Sequence, residues 1–496
     1  MISIERISNN LTNIILIISL LFITSCSSII TSRKQKEPLV QSYKTGNKEK
    51  TAELLKEYLE SRKGTGDELM WWLEEGSLKF EMKDYKGSLF ALNEAERIID
   101  DYGDRAVINA RHIGSEGGSL LTNPNAIPYY GYNYDKILLN TYKALNYFAL
   151  SEPESARVEL RKAYERQKDA KELFELELRD ELRELEYDRT HDRDLPKVSD
   201  VLNNQNLRNE YKKMLKYSQD SRYAGFINPF TTYLLAVGYL TEGDYDEAYI
   251  DLNELYKINP GNRLIQKDLV TCATNSGRKI PDELKNVSPN KYSMENNIVY
   301  IISAKGLAPA FKENKLQLVL PEVGYTGFAY PSIEYPGTVI YDIEVSDSKG
   351  DKYPMYKIAD LDNIISQEFK EYFMLRVSRI AASVLAKEAA TIAALKAVEG
   401  TENSELIKLG ILIAASLYKA AFNTADTRSW QLLPNEFFIT NLPIPKDGII
   451  NIWQESGNQC GKNVKVKIDR DKGDKVIIFV RTPGGNRVET ILCQFF

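Results

Sequence analysis

The order of apolar and polar positions divides the chain into a leader, a helical half and a strand-rich half. The apolar run Ile14 to Ile23 follows Arg6 and a polar stretch, and closes on Thr24-Ser25-Cys26. It is shorter than the roughly 20 apolar residues that a retained helix needs to span about 30 Å of hydrocarbon, so it reads as a secretory leader. Ser27 to Lys50 is polar, rich in Ser, Thr, Lys and Gln, and reads as a tether. Apolar positions then recur at helical spacing in paired blocks. In the clearest block, Leu235, Ala236 and Tyr239 precede the turn Gly243-Asp244-Tyr245-Asp246-Glu247. Ala248 opens a second helix, and Asn259-Pro260 closes it. A second block sets Tyr142, Leu145 and Tyr147 before Ser151-Glu152-Pro153-Glu154, then Ala156, Leu160 and Ala163. A third has Trp72, Gly76 and Phe80, the turn Lys83-Asp84-Tyr85, then Ser88, Leu92 and Ala95. Thr45-Gly46-Asn47 with Leu54, Leu55 and Tyr58 suggests the second helix of an N-terminal cap. Gly117-Gly118-Ser119 and the aromatic stretch Pro128 to Tyr134 read as an ordered loop or a degenerate repeat. Lys168 to Arg193 alternates Leu and Phe with charges of both signs, the pattern of a long amphipathic helix.

After Asn286 the period shortens. Asn297 to Ser303, Lys315 to Leu320 and Thr338 to Val345 are β-rich runs punctuated by Pro and Gly. Asp360 opens a helix carrying Ile364, Ile365, Phe369, Phe373, Val377, Ile380 and Val384, followed by the Ala-rich run to Ala397. A second small-residue helix, Glu405 to Phe422, is expected to pack against it as a tight, buried antiparallel pair, with a membrane-surface helix as the alternative. Strands resume at Glu436 to Thr440, Gly448 to Trp453, Val464 to Ile468, Lys475 to Val480 and Arg487 to Leu492. Thr482-Pro-Gly-Gly-Asn486 turns the last two into a hairpin, and the alternation from Val464 to Ile468 predicts one wet face. The expected fold is α+β and multidomain: an N-terminal α-solenoid of helical hairpins, then a β-sandwich-like domain with an inserted small-residue helical hairpin. The expected boundaries are 1–25 for the leader, 26–50 for the tether, 51–285 for the helical domain and 286–496 for the β domain, with the insertion at 360–424.

The helix-turn-helix blocks resemble the tetratricopeptide repeat, whose small residues let two helices cross closely. Ser88 and Ala156 stand in equivalent places 68 positions apart, twice that repeat's period of about 34. Stacked hairpins of this kind leave a concave surface that binds peptide or protein. Ile23-Thr24-Ser25-Cys26 resembles the bacterial lipobox, which implies diacylation of Cys26 and stable anchoring by two or more acyl chains. Ser27 after that Cys points to the outer membrane. Further stretches resemble an uncharacterised family of bacterial tetratricopeptide-repeat-containing lipoproteins. They are Leu121-Thr-Asn123 with Ile127-Pro-Tyr129, Tyr142 to Tyr147, Ala156 to Arg161, Phe226 to Phe230, Gly306 to Pro309, Ala425 to Trp430 with Leu433-Pro434, and Leu442 to Pro445. The resemblance implies an envelope lipoprotein facing the periplasm and no particular reaction.

Charge and chemistry narrow the function. The 496 residues carry 64 Lys and Arg against 70 Asp and Glu, net charge −6 without a basic stripe, which argues against a nucleic-acid partner. Only two His, His112 and His191, are available to catalysis. GxSxG, HExxH, GxxxxGK[ST] and a strand-borne GxGxxG are all missing, so no enzyme is expected, and no cofactor beyond the acyl chains on Cys26. His191 among Asp188, Asp192 and Asp194 is too sparse a set to count as a metal site. Cys460 and Cys493 are the candidate disulfide in the β domain. The residues singled out for partner binding are Tyr142, Arg157, Arg161 and Tyr239 on the repeat helices, with Arg428 and Trp430 in the Asp426-Thr-Arg-Ser-Trp430 motif. Asp426 pairing locally with Arg428 while Trp430 packs inward is the competing expectation. The functional expectation is a lipid-anchored scaffold or adaptor that holds protein partners in its repeat groove. The alternatives are a regulator of peptidoglycan synthesis, or a cell-wall carbohydrate binder using Trp430 and the tyrosine-rich loop.

Overall fold

A computed structural model of the chain describes residues 32–110, 128–191, 201–218, 226–290, 297–320, 324–336, 342–401, 403–422, 424–454, 462–469, 473, 475–484 and 488–495. The fold is mixed α+β, 58% helix and 18% strand, with helices N-terminal and sheets C-terminal. Ten helices come first among the described residues: α1 Ser32–Lys44, α2 Lys48–Arg62, α3 Glu68–Glu81, α4 Tyr85–Ala110, α5 Asn133–Ala149, α6 Pro153–His191, α7 Gln205–Tyr217, α8 Pro229–Glu242, α9 Tyr245–Ile258 and α10 Arg263–Ser276.

The predicted hairpins form where the turn chemistry placed them. Asp244 caps α9 by accepting from Glu247 N at 3.3 Å, and Gly243 ends α8 in the left-handed region at φ 77°. Asn47 caps α2 through Lys50 N at 3.0 Å. The α3–α4 crossing is tight enough to require its glycine: a Cβ on Gly76 would lie 2.5 Å from Leu92 Cδ2. Across that crossing the Ser88 hydroxyl donates to Gly76 O at 2.7 Å. The amphipathic run from Lys168 continues the second helix of the Tyr142 hairpin, so α6 extends unbroken from Pro153 to His191.

The expected tether is corrected. Residues 32–44 form α1, with Leu39 and Tyr43 fully buried and Lys36 buried as completely. Lys36 Nζ donates to Glu74 and to Ser429 O, and Tyr43 Oη donates to Glu81 at 2.7 Å. Polar composition suggested solvent here. The polar groups instead find partners some 38 to 393 positions away.

The C-terminal part comprises β1 Ile298–Lys305, β2 Ala310–Leu320, β3 Gly324–Glu334, β4 Ile343–Asp347, β5 Lys352–Tyr353, β6 Tyr356–Asp360, α11 Leu361–Ala397, α12 Ser404–Phe422, β7 Glu436–Pro443, β8 Ile449–Gln454, β9 Lys462–Lys467, β10 Lys475–Thr482 and β11 Glu489–Phe495. One sheet runs β11-β10-β1-β7-β6, another β5-β4-β8-β9, and β2-β3 is a separate ribbon. Strand β1 lies parallel to β10 and antiparallel to β7, and every residue of it is buried. Its two faces serve two cores, as period-two alternation requires. Tyr300, Ile302 and Ala304 join the helices, while Val299 and Ile301 join Val345, Ile450, Ile452 and Val466 of the four-stranded sheet. In β9, Lys465 and Lys467 are exposed and Val466 is buried, the predicted wet face.

The boundary expected at 285/286 marks a change of secondary structure, and packing crosses it freely. Phe230 stacks on Phe437 at 3.9 Å, and Phe80 meets Phe479 edge-on at 5.3 Å. Asp268 of α10 accepts from Tyr233 Oη at 2.6 Å and from Asn441 Nδ2 of β7 at 3.4 Å. Arg481 of β10 is 1% exposed and donates to Glu81 at 2.9 Å, to Gly306 O at 2.6 Å and to Leu432 O at 3.2 Å. Asp360 caps α11 through Asn363 N at 3.2 Å, as its position predicted. The buried-pair expectation for α11 and α12 fails in part: α12 packs mainly on α11 and leaves Leu406, Ile407, Leu409 and Ile413 exposed, because among the described residues no other element packs substantially against it.

Candidate functional site

A cleft of about 190 Å³ opens where four elements converge: the first turn of α5, the middle of α6, the segment 226–228 and the second and third turns of α11. Helix α5 begins at the tyrosine-rich loop. Asp135 turns back to accept from Tyr132 N at 2.9 Å and from Tyr129 Oη, which fixes the loop against the helix. Burial pushes the Asp135 carboxyl up to about 7, against the pull of those two bonds. The remaining free N–H groups of the first turn are met from across the cleft. Glu368 of α11 accepts from Asn133 N at 2.8 Å and Tyr134 N at 3.0 Å, a carboxylate placed at the positive end of a helix. Burial shifts its pKa upward from the ordinary glutamate value despite these donors.

The walls are apolar. Ile137, Phe174, Phe226 and Ile364 line the cleft, and Phe174 meets Phe226 at 5.5 Å and Tyr372 at 5.1 Å. Phe226 holds a left-handed backbone at φ 63°, a conformation that bulky residues seldom adopt. Two residues on, Asn228 caps α8 by accepting from Phe230 N at 3.1 Å, while its own N–H donates to Gln167 of α6. Pro229 at the first helical position completes that start.

Two of the lining residues each carry a buried polar atom without a hydrogen-bond partner among the described residues. Tyr134 Oη and Asn228 Nδ2 are buried without a hydrogen bond, on residues 2% and 1% exposed. An unpaired buried donor costs roughly 1–3 kcal/mol, so either group gains if an acceptor oxygen is brought within its reach. Burial holds the Tyr134 phenol well above its ordinary range, so it remains a neutral donor. Around the mouth, Lys171 and Glu175 extend from the exposed face of α6, and Glu371 of α11 accepts from Gln367 Nε2 at 2.8 Å. Counting Glu368, the lining carries three carboxylates against one ammonium.

The residues singled out from sequence lie elsewhere. Tyr142 is fully buried at 5.5 Å from Trp430, and Trp430 is fully buried with its indole N–H on Ser77 Oγ at 3.1 Å. Neither has a face to offer a partner, because the α3 surface covers both. Arg428 is 2% exposed, clamped by Asp426 at 2.8 Å and Asp67 at 3.1 Å, so the competing expectation of a local pair holds for this motif. Arg161 donates to Tyr239 Oη at 3.0 Å and Arg157 pairs with Glu242, which ties α6 to α8. The tyrosine-rich loop is likewise internal: Tyr129, Tyr132 and Tyr134 are buried, and only Tyr130 is exposed. A glycan platform built on Trp430 and that loop is therefore excluded by burial. Cys26 and Cys460 lie outside the described residues; Cys493 stands on β11 opposite Ile477, and Cys272 is a buried free thiol that burial pushes up.

Sequence reasoning placed Pro128 to Tyr134 and Phe226 to Phe230 among notable stretches without seeing that they meet. The missing link was Glu368, 234 positions from Tyr134, which has no local signal. No protein-family model matches the chain, and no curated protein matches it.

Proposed function

We propose that the chain is a lipid-anchored scaffold or adaptor of the bacterial cell envelope that holds a segment of a protein partner in the cleft between α5, α6 and α11. The helical half is read as a tetratricopeptide-like solenoid, and the two facing sheets as a β-sandwich into which α11 and α12 are inserted. Acylation at Cys26 supplies the anchor, with the body facing the periplasm from the outer membrane. It is a binding protein and not an enzyme.

The observation that carries the reading is the pairing of apolar walls with two orphaned buried donors, Tyr134 Oη and Asn228 Nδ2. A cleft of about 190 Å³ is smaller than the roughly 300–1,000 Å³ of small-molecule sites. It suits one large apolar side chain, since an engineered cavity of about 150 Å³ takes benzene. A peptide supplies such a side chain together with a carbonyl for the two donors. Its neighbouring residue is best basic, because Glu175 and Glu371 flank the mouth.

The length of the tether favours this reading over a regulator that reaches across the periplasm. From Cys26 to Ser32, the first described residue, six residues span at most about 20 Å. The test is crosslinking in cells from a photoreactive phenylalanine analogue in place of Glu371, with Ile250 on α9 as the control position. A discrete adduct at 371, absent at 250 and lost when Phe174→Asp is added, is expected. An adduct that survives Phe174→Asp, or none at all, overturns the proposal.

A further inference from the structure

Helix α12 stands out among the described elements. It is 19 residues long, about 28 Å, and packs mainly on α11. Leu406, Leu409 and Ile413 fall at i, i+3 and i+7, so they share one face, and they are 72%, 53% and 51% exposed. Lys408 and Lys419 bracket the uncharged run Leu409 to Tyr418. That run is about 15 Å, too short to cross a bilayer, and among the described residues no helix is long and apolar enough to do so.

The N-terminus of the body leaves on the same side as the root of this helix. Tyr43, near the end of α1, lies at 5.8 Å from Arg481, which holds Leu432 O; Lys36, seven residues earlier, holds Ser429 O. Helix α1 thus runs in the same direction as segment 424–433. Four further residues toward Ser32 lead to Ala425, whose N–H donates to Glu313 of β2 at 2.9 Å; α1 also contacts β2. Ala425 follows the end of α12 at Phe422 by three residues.

We infer that α12 lies in the surface of the bilayer that carries the Cys26 anchor, with Leu406, Leu409 and Ile413 immersed at the acyl boundary and Lys408 reaching back to the headgroups. This rests on the lipoprotein reading above. The anchor holds Ser32 within about 20 Å of the lipid, and the root of α12 shares that side of the molecule. A second contact fixes the orientation of the body, which one tether does not.

The test uses the full lipidated chain in vesicles of phosphatidylethanolamine and phosphatidylglycerol at about 3:1, with and without dibrominated acyl chains. Leu409→Trp adds an emitter on the proposed face; Phe90→Trp, at an exposed position on α4, is the control. At least twofold stronger quenching by brominated lipid at 409 than at 90 is expected, over the wild-type background. Equal quenching overturns the inference. So does a blue shift at 409 that depends on protein concentration and ignores bromine, which would make the face a contact with a second copy. Incorporation of an alkyne fatty acid, lost in Cys26→Ser, is measured in parallel. Incorporation without quenching sinks α12 docking alone, whereas no incorporation sinks the anchor and the docking together.

Discussion

Replacing Lys36 by Met tests whether residues 32–44 belong to the folded body. In the folded chain Lys36 is fully buried, donates to Glu74 and to Ser429 O, and stands 5.4 Å from the Trp71 ring. Its desolvation by burial lowers its proton affinity, and the Glu74 carboxylate opposes that shift. Met fills most of the same volume, so the cavity contribution is small and the loss is electrostatic. Glu74 is left accepting from Gln431 N at 2.8 Å and Leu432 N at 3.0 Å with no cation beside it. Removing one partner of a buried pair costs about 3–5 kcal/mol, against a total stability of about 5–15 kcal/mol. Urea unfolding followed by tryptophan emission reads the change, with Lys34→Met, at an exposed position two residues away, expected within about 0.5 kcal/mol of wild type. Adding Glu74→Gln to Lys36→Met is expected to cost less than the sum of the two single changes. If Lys36→Met unfolds within about 0.5 kcal/mol of wild type, α1 is a tether after all and the interlock between α1, α3 and segment 429–432 is wrong.

Arg481→Met leaves Glu81 buried opposite the Tyr43 hydroxyl and strips Gly306 O and Leu432 O of their donor, so a loss of about 3–5 kcal/mol is expected in the same unfolding assay. Gly76→Ala forces the Leu92 side chain to move by about an ångström, and a destabilisation of about 1–3 kcal/mol is expected by thermal melting. Asp251 on α9 is held up at about 7 by burial and by Glu254 and Glu247, above its ordinary 3.8. Between those values the unfolded chain ionises while the folded one stays protonated, so this group's contribution, full below about pH 4, is lost as pH rises through 7. Asp251→Asn is expected to flatten that slope in urea titrations run from pH 4 to 8. An unchanged slope would mean that Asp251 is ionised in the fold.

Local chemistry was readable where the partner lay nearby in sequence. Asp244, Asn47 and Asp360 are caps whose bonds close within three residues, and the strand alternation from Val464 to Ile468 needs only its own pattern. What escaped was pairing at long range. Lys36 looked like a solvated charge because its partners stand at 74 and 429, and Trp430 looked like a recognition residue because Ser77 stands 353 positions away. The cleft escaped for the same reason, since Tyr134, Phe174, Asn228 and Ile364 come from four separate elements. The small-residue pattern of α12 promised burial, yet among the described residues no element covers Leu406, Leu409 and Ile413.

The most direct test of the central claim is to select peptides from a random library on the full chain, then to measure the affinity of the best binder for wild type, Phe174→Ala and Tyr134→Phe. The account predicts an apolar side chain beside a basic one in the selected sequences. Phe174→Ala is expected to weaken binding about thirtyfold or more, as for an interface hot spot. Tyr134→Phe is expected to weaken it about 2- to 10-fold, the value of one hydrogen bond, while making the free protein slightly more stable by removing an unpaired buried hydroxyl. Peptides whose affinity ignores both substitutions, or a Tyr134→Phe chain that is less stable when free, would contradict the cleft as the binding site.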